Sequence, residues 1–164
     1  MFHIRSAKTA DVAAITKIAQ PLVAERVLLG KELVAAYESI QEFIVAERDG
    51  EVIGFGALHV MWQDLAEVRT LAVAEGSKRQ GIGAALLAEL ESRARDLGIK
   101  RVFCLTFEKE FFGKNGYEVI SDVPVAPDVY AELVRSHDDG VAEFLDLARV
   151  KQNTLGNSRM LKQL

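Results

Sequence analysis

The sequence predicts one α/β (α+β) domain over residues 1–164, with a mixed central sheet of about six or seven strands flanked by helices. Three observations lead there. Short β-type segments alternate with helical ones along most of the chain. The pair Asp49-Gly50 is a two-residue hairpin signal between two of the strands. A later strand passes through a glycine-containing loop straight into a long helix, over residues 73–86. At 164 residues the chain supports one core rather than two.

The elements follow in order. Phe2-His3-Ile4-Arg5 alternates briefly as a strand. Thr9 and Asp11 supply helix start signals, Val12, Ile15, Ile18 and Ala19 follow at helical spacing, and Pro21 is expected to kink or end that helix. A second helical pattern covers residues 31–40 through Leu33, Val34 and Tyr37. Phe43-Ile44-Val45-Ala46 is a strand, and its return strand runs from Val52 to about Val60 with Gly54 and Gly56 on it. After a break at Gln63-Asp64, Glu67–Val73 is the next strand. A helix from Gly81 to about Leu97 places Ile82, Ala85, Leu86, Leu90 and Ala94 on one face, with Gly98 as its cap. Arg101–Phe107 reads as a buried strand from its unbroken apolar run, and a short helix, Glu108–Asn115, ends at Gly116. Tyr117–Ile120 is another strand. Pro124 and Pro127 precede a helix over Asp128–Ser136, and Gly140 separates it from a segment ending near Leu147. Ser158–Leu164 is read as a final, exposed strand, a place where two copies would pair as a homodimer.

Composition excludes several classes. Hydrophobic residues at 49% and charged residues at 27% argue against disorder. A net charge of −4 argues against nucleic acid as the partner. Cys104 is the single cysteine, so an internal disulfide is excluded. No apolar leader or membrane-length stretch occurs, and the expectation is a cytoplasmic enzyme with no membrane partner. His3, His59 and His137 lack metal-ligand spacing, so no metal is expected.

The chemistry concentrates in Val73-Ala74-Glu75-Gly76-Ser77-Lys78-Arg79-Gln80-Gly81-Ile82-Gly83-Ala84-Ala85-Leu86. Glycines at a helix start let an anion approach the main chain, whose unpaired N–H groups and dipole favour it. Lys78 and Arg79 add positive charge there, and a diphosphate is the natural guest. A Walker loop would need Gly-Lys-Ser/Thr, yet Gly81 precedes Ile82 and Gly83. A dinucleotide fingerprint would need glycine where Leu86 stands. The bland alternative is a helix that needs small residues only to pack closely on the sheet.

The loop resembles the coenzyme A loop of the GNAT superfamily of N-acetyltransferases, Arg/Gln-x-x-Gly-x-Gly/Ala, with Gly81 and Gly83 in the glycine places and Lys78 where Arg or Gln is usual. Lysine keeps the charge but loses planar hydrogen bonding. Phe111-Phe112-Gly113-Lys114-Asn115-Gly116-Tyr117 is similar to a second landmark of that superfamily. Residues 28–50, 66–73, 101–117 and 156–161 resemble the acetyltransferase domain of bacterial N-acetylglutamate synthases, above all their short stand-alone form. The resemblance implies the GNAT fold, acetyl-CoA as co-substrate, and acetylation of the α-amine of glutamate, or of glutamine, as the first step of arginine biosynthesis. It implies that Leu71, Ala72 and Val73 bind the pantetheine arm through their backbone, and that Lys78, Arg79, Gln80, Gly81, Ile82, Gly83 and Ala84 hold the diphosphate.

Attack on a thioester needs a neutral amine, so a base must take its proton. Glu67 occupies the place of that base in the resembling synthases. A backbone N–H near Leu71 is the implied oxyanion donor if the strand bulges there. Phe112 stands where many relatives carry a tyrosine that protonates the departing thiolate, which leaves two alternatives: the Thr70 hydroxyl as donor, or a thiolate that departs without an acid. Cys104, inside an apolar strand, is read as core rather than as a nucleophile. Lys31, Arg69 and, third, Arg159 are the candidates for holding the acceptor's carboxylates, with Glu108 and Phe111 lining the acceptor side. Alternation places Glu67, Arg69 and Leu71 on one face. Two rivals stand beside this reading: a transferase for another amine, and a non-catalytic acyl-CoA-binding sensor.

Overall fold

The computed structural model describes residues 1–25, 32–145 and 157–164. Its first half contains β1 (His3–Ser6), α1 (Val12–Ala24), α2 (Leu33–Glu38), β2 (Phe43–Arg48), β3 (Glu51–Trp62), β4 (Leu65–Val73) and α3 (Ile82–Asp96). The second half contains β5 (Arg101–Thr106), α4 (Lys109–Lys114), β6 (Glu118–Val119), α5 (Pro127–Leu133), α6 (Asp139–Phe144) and β7 (Ser158–Gln163). The strands form one sheet in the order β1-β2-β3-β4-β5-β7-β6. Only β4 and β5 pair parallel; the other neighbours are antiparallel.

The β2–β3 hairpin turns at Asp49 and Gly50, with φ 51° and 81°, as the tight two-residue turn requires. On one face of the sheet, Ile82, Leu86, Leu87, Leu90 and Ala94 of α3 pack on Ile44, Val68, Val102 and Cys104. The two strand glycines set how closely α3 approaches. A Cβ on Gly56 would meet Leu71 Cδ1 at 2.9 Å and Leu90 Cδ1 at 3.0 Å. On the other face, Ile15 of α1 packs with Phe43, Val45, Phe55 and Ala72. Farther along that face, Leu133 of α5 and Val141 and Phe144 of α6 cover Leu65 and Phe103.

Four expectations change. Pro21 lies inside α1, which continues to Ala24; the proline is exposed, and so is Lys17, whose carbonyl it cannot serve. The pattern over residues 31–40 shortens to α2 and a 3-10 turn at Ile40–Glu42, with Lys31 outside the described residues. Gly140 lies within α6 rather than separating two segments. The final strand is interior: β7 inserts between β5 and β6, pairing Cys104↔Met160 on one side and Val119↔Met160 on the other. Over Arg159–Leu161 both sides of β7 are paired within the sheet, so that stretch offers no exposed edge for a homodimer.

β7 is also anchored to α3. Lys162 Nζ donates to the buried Glu91 carboxylate at 2.8 and 3.0 Å, and Tyr117 Oη donates to it at 3.3 Å. Burial and the neighbouring Glu91 push the Tyr117 phenol well above its usual range. Glu91→Ala is expected to destabilise the fold by about 2 kcal/mol, less than a fully buried pair because Lys162 keeps some exposure. Denaturant titration would read this, with acetyl-CoA affinity unchanged.

Candidate active site

The site begins where two strands part. β4 and β5 pair only at Leu65↔Arg101, Ala66↔Val102 and Glu67↔Phe103, although β4 runs on to Val73 and β5 to Thr106. Past Glu67, backbone groups on that side of β4 face a wedge instead of a ladder. On the opposite side, β4 pairs Phe55↔Ala72 and then Ala57↔Arg69, so Thr70 and Leu71 together oppose Gly56. This is a β-bulge, which takes a residue out of the ladder. Thr70 there has φ 54°, a costly conformation for a β-branched residue. Its Oγ1 is buried without a hydrogen-bond partner among the described residues.

The bulge corrects one expectation. Leu71 packs with Val68 and Val73 on the α3 side, while the Arg69 side chain meets Glu67 on the other. An inserted residue flips the side chains that follow it. Glu67 and Arg69 share a face, and Leu71 does not join them.

At the end of β4 the chain enters a 3-10 turn, Glu75–Ser77. Arg79 (φ 63°) and Gly81 (φ 79°) are both left-handed, and they turn the chain into α3. Ala85 N donates to Gly81 O at 3.0 Å, so the N–H groups of Ile82, Gly83 and Ala84 begin the helix with no carbonyl four residues back inside it. Lys78 is exposed and pairs with Glu75 at 2.6 Å. Gln80 Oε1 accepts from Arg48 at 2.8 Å, a loop contact the sequence did not suggest. A Cβ on Gly83 would lie 3.5 Å from the Phe111 ring, so Phe111 stands beside the helix start. The free helix-start donors, the exposed Lys78 and Arg79, and the wedge behind them fit a diphosphate with an extended arm.

Glu67 is 4% exposed. Its Oε1 accepts from Arg69 Nε at 2.7 Å, and Arg69 grips Asp138 with two further bonds, Nη1 to Oδ2 at 3.0 Å and Nη2 to Oδ1 at 2.9 Å. His59 lies directly across from Glu67 in the β3–β4 register, and its Nδ1 meets Glu42 at 2.9 Å. Burial raises the Glu67 carboxyl above the ordinary range, opposed by the charge and hydrogen bond of Arg69. A carboxylate so raised works closer to neutral pH as a base. Burial also pulls Asp138 upward, but the bonds and charge of Arg69 outweigh it and hold Asp138 below the usual carboxylate range. Glu143 is pushed up to about 7 by burial and then by repulsion from Glu67, and its Oε1 accepts from Asn157 at 3.2 Å. Between the unfolded value near 4.5 and about 7, the folded chain keeps a proton that the unfolded chain has released. Glu143 therefore costs stability as pH rises through that interval.

The remaining candidates are placed as follows. The Arg159 guanidinium lies over the rings of Phe103 (5.5 Å) and Phe144 (5.8 Å), and its Nη2 donates to Phe144 O. Glu108 is exposed at the start of α4. Phe112 is core, with its ring centroid 5.1 Å from those of Phe111 and Tyr117. Cys104 is fully buried and burial raises its thiol, which suits core packing. Among the described residues no group of three or more His, Cys, Asp or Glu side chains could hold a metal, and no helix is long and apolar enough to cross a membrane.

A seven-stranded mixed sheet whose parallel strands part beside a bulge and an anion-ready helix start defines an acetyltransferase architecture. A model of the Acetyltransferase (GNAT) family matches residues 19–117, and the chain belongs to that family. An amino-acid acetyltransferase of Mycobacterium tuberculosis is 52% identical over 161 residues, covering 96% of this chain and 92% of the relative. The crystal structure of Rv2747 from Mycobacterium tuberculosis in complex with CoA and NLQ matches with a TM-score of 0.95 at 51% identity, covering 99% of each chain. The N-acetylglutamate synthase of Neisseria gonorrhoeae complexed with coenzyme A and N-acetyl-glutamate matches with a TM-score of 0.81 at 25% identity, covering all of this chain and 35% of that one.

Proposed function

We propose that this protein transfers the acetyl group of acetyl-CoA to the α-amine of glutamate, or of glutamine, in a ternary complex. The observation that carries the reading is a buried carboxylate, Glu67, placed where β4 leaves β5. The relatives named for amino-acid acetylation support the acceptor class. Acetyl-CoA supplies the activated carbonyl. Glu67 takes the proton from the acceptor ammonium. The bulge at Thr70 and Leu71 presents a backbone donor to charge developing on the carbonyl oxygen, and the Thr70 hydroxyl, without a partner among the described residues, serves the departing sulfur. Residues 78–84 hold the diphosphate, with Phe111 beside them, while Leu71, Ala72 and Val73 offer backbone to the pantetheine arm.

Lys31 and, behind it, Arg159 are the cations proposed for the acceptor's carboxylates, and Glu108 stands at the rim. Arg69, the other sequence candidate, already bridges Glu67 and Asp138, which directs it to the base instead of the acceptor. The reaction fits the first acetylation of arginine biosynthesis, in the cytoplasm.

A panel of acceptors with free-thiol detection tests the reading. Glutamate and glutamine should release thiol faster than lysine, spermidine or peptides. A lead by a peptide or polyamine would move the protein to another amine, and acetyl-CoA binding without turnover of any amine would make it a sensor.

A further inference from the structure

Arg69 is held from two sides, and one of them lies far away in sequence. Its Nε bonds Glu67 Oε1 and its Nη2 lies 2.7 Å from the same oxygen, while both Nη atoms also bond Asp138, 69 residues downstream. Asp138 is itself fixed by the main chain: its Oδ1 accepts from Val141 N at 3.0 Å, and its N–H donates to Ser136 Oγ at 3.1 Å. Gly140, in the first turn of α6, lies directly over the Glu67–Arg69 pair. A Cβ there would be 2.8 Å from Arg69 Cζ and 2.9 Å from Glu67 Oε1, and it would press still closer on Nη2. A side chain at that point would have to push the ends of the Arg69 and Glu67 side chains aside.

We propose that Asp138 and Gly140 are positioning residues for Glu67: by clamping the Arg69 guanidinium they fix Oε1 and leave Oε2 to take the acceptor's proton. The inference rests on the reading of Glu67 as the base. Its physical basis is geometric. A guanidinium is a planar fork, and three donors assigned to two carboxylates leave it one orientation. No described side chain hydrogen-bonds Oε2. Without Asp138, Arg69 can rotate off the carboxylate, and a base displaced by about 1 Å loses much of its rate.

The charges facing Glu67 are Arg69 on its own strand, His59 on β3 with Glu42 behind it, and Asp138 and Glu143 from the α6 segment. Arg159 on β7 lies over Phe103, the strand neighbour of Glu67. Of these, Asp138 adds a repulsion that lifts the proton affinity of Glu67. Arg69 lowers that affinity by more, through its charge and its hydrogen bond, so releasing Arg69 by removing Asp138 outweighs the lost repulsion and moves the acidic limb of the kcat profile to higher pH.

The test uses the full chain with Asp138→Asn, Gly140→Ala and Glu67→Gln, each checked for folding by its melting transition. Asp138→Asn keeps the shape of the side chain, so it carries the test if Gly140→Ala fails to fold. The expected result is a kcat about tenfold lower in both positioning variants, KM for glutamate and for acetyl-CoA within about twofold, and an upward shift of the acidic limb in Asp138→Asn. A purely structural role would not move that limb. Unchanged kcat and limb in Asp138→Asn overturn the proposal. So does a large change in acceptor KM at constant kcat, which would make Arg69 an acceptor ligand. If Glu67→Gln is inactive while Asp138→Asn matches wild type, only the clamp fails; if Glu67→Gln is fully active, the base assignment fails first.

Discussion

Replacing Glu67 by glutamine is expected to lower kcat by about 10²-fold or more, the usual contribution of a positioned base, while the acetyl-CoA dissociation constant stays within about twofold of wild type. Glutamine matches glutamate in shape, and its amide oxygen can still accept from Arg69 Nε at the place where Oε1 now lies. What it cannot do is take a proton. The pH dependence sharpens the test. Burial raises the Glu67 carboxyl, so wild-type turnover rises with pH as that group ionises and then levels off. In the variant this limb disappears, and the rate climbs with pH until the acceptor amine itself is neutral. Stopped-flow or steady-state thiol release across the pH range reads both features. A wild-type rate in Glu67→Gln would remove the base and send the search to His59, which faces it across the strand pair.

The parts of the site that were legible in the sequence are those specified locally. Residues 73–86 announce a strand, a turn and a helix through glycine and charge within one window, and the structure places β4, a 3-10 turn and α3 there. The bulge was not legible from the residues. Strand periodicity is two, and one inserted residue leaves no mark in composition while it reverses Leu71 relative to Arg69. Arg69 looked like a cation available to substrate because a sequence displays charge and hides partners; Asp138 engages it from far downstream. Asp138 did carry a local signal, an acidic residue three places before Val141 in cap position, but nothing local linked it to β4. Gly140 was read as punctuation, the commonest meaning of an isolated glycine, whereas a side chain there would displace the Glu67–Arg69 pair. His59 seemed scattered for the same reason, since only strand register brings it opposite Glu67. The interior place of β7 depends on pairing with strands far earlier in the chain, which residue patterning does not encode.

Gly81→Val is expected to weaken acetyl-CoA binding by about tenfold or more, equivalent to about 1.4 kcal/mol, while saturating turnover remains near wild type. Gly81 holds φ 79° and ψ 3° immediately before α3. An L-residue pays about 1–2 kcal/mol to sit in that region, and a β-branched one more. The chain can relieve the strain by rotating the peptide, but Gly81 O then leaves Ala85 N, its present donor at 3.0 Å. The same rotation turns the N–H groups of the first helical turn away from the point where the diphosphate is proposed to lie. Core contacts of Ile82, Leu86 and Leu90 keep the rest of α3 in place, so the melting temperature should fall by only a few degrees, roughly what 1–2 kcal/mol removes. Gly83→Ala is the matched control. A Cβ there meets the Phe111 ring at 3.5 Å, an ordinary contact, and residue 83 has no left-handed φ. Alanine at 83 should leave the affinity within about threefold, a difference under 1 kcal/mol. Calorimetric titration with coenzyme A separates the two. Equal affinities in wild type and Gly81→Val would detach the diphosphate from this loop, and with it the alignment of the thioester beside Glu67.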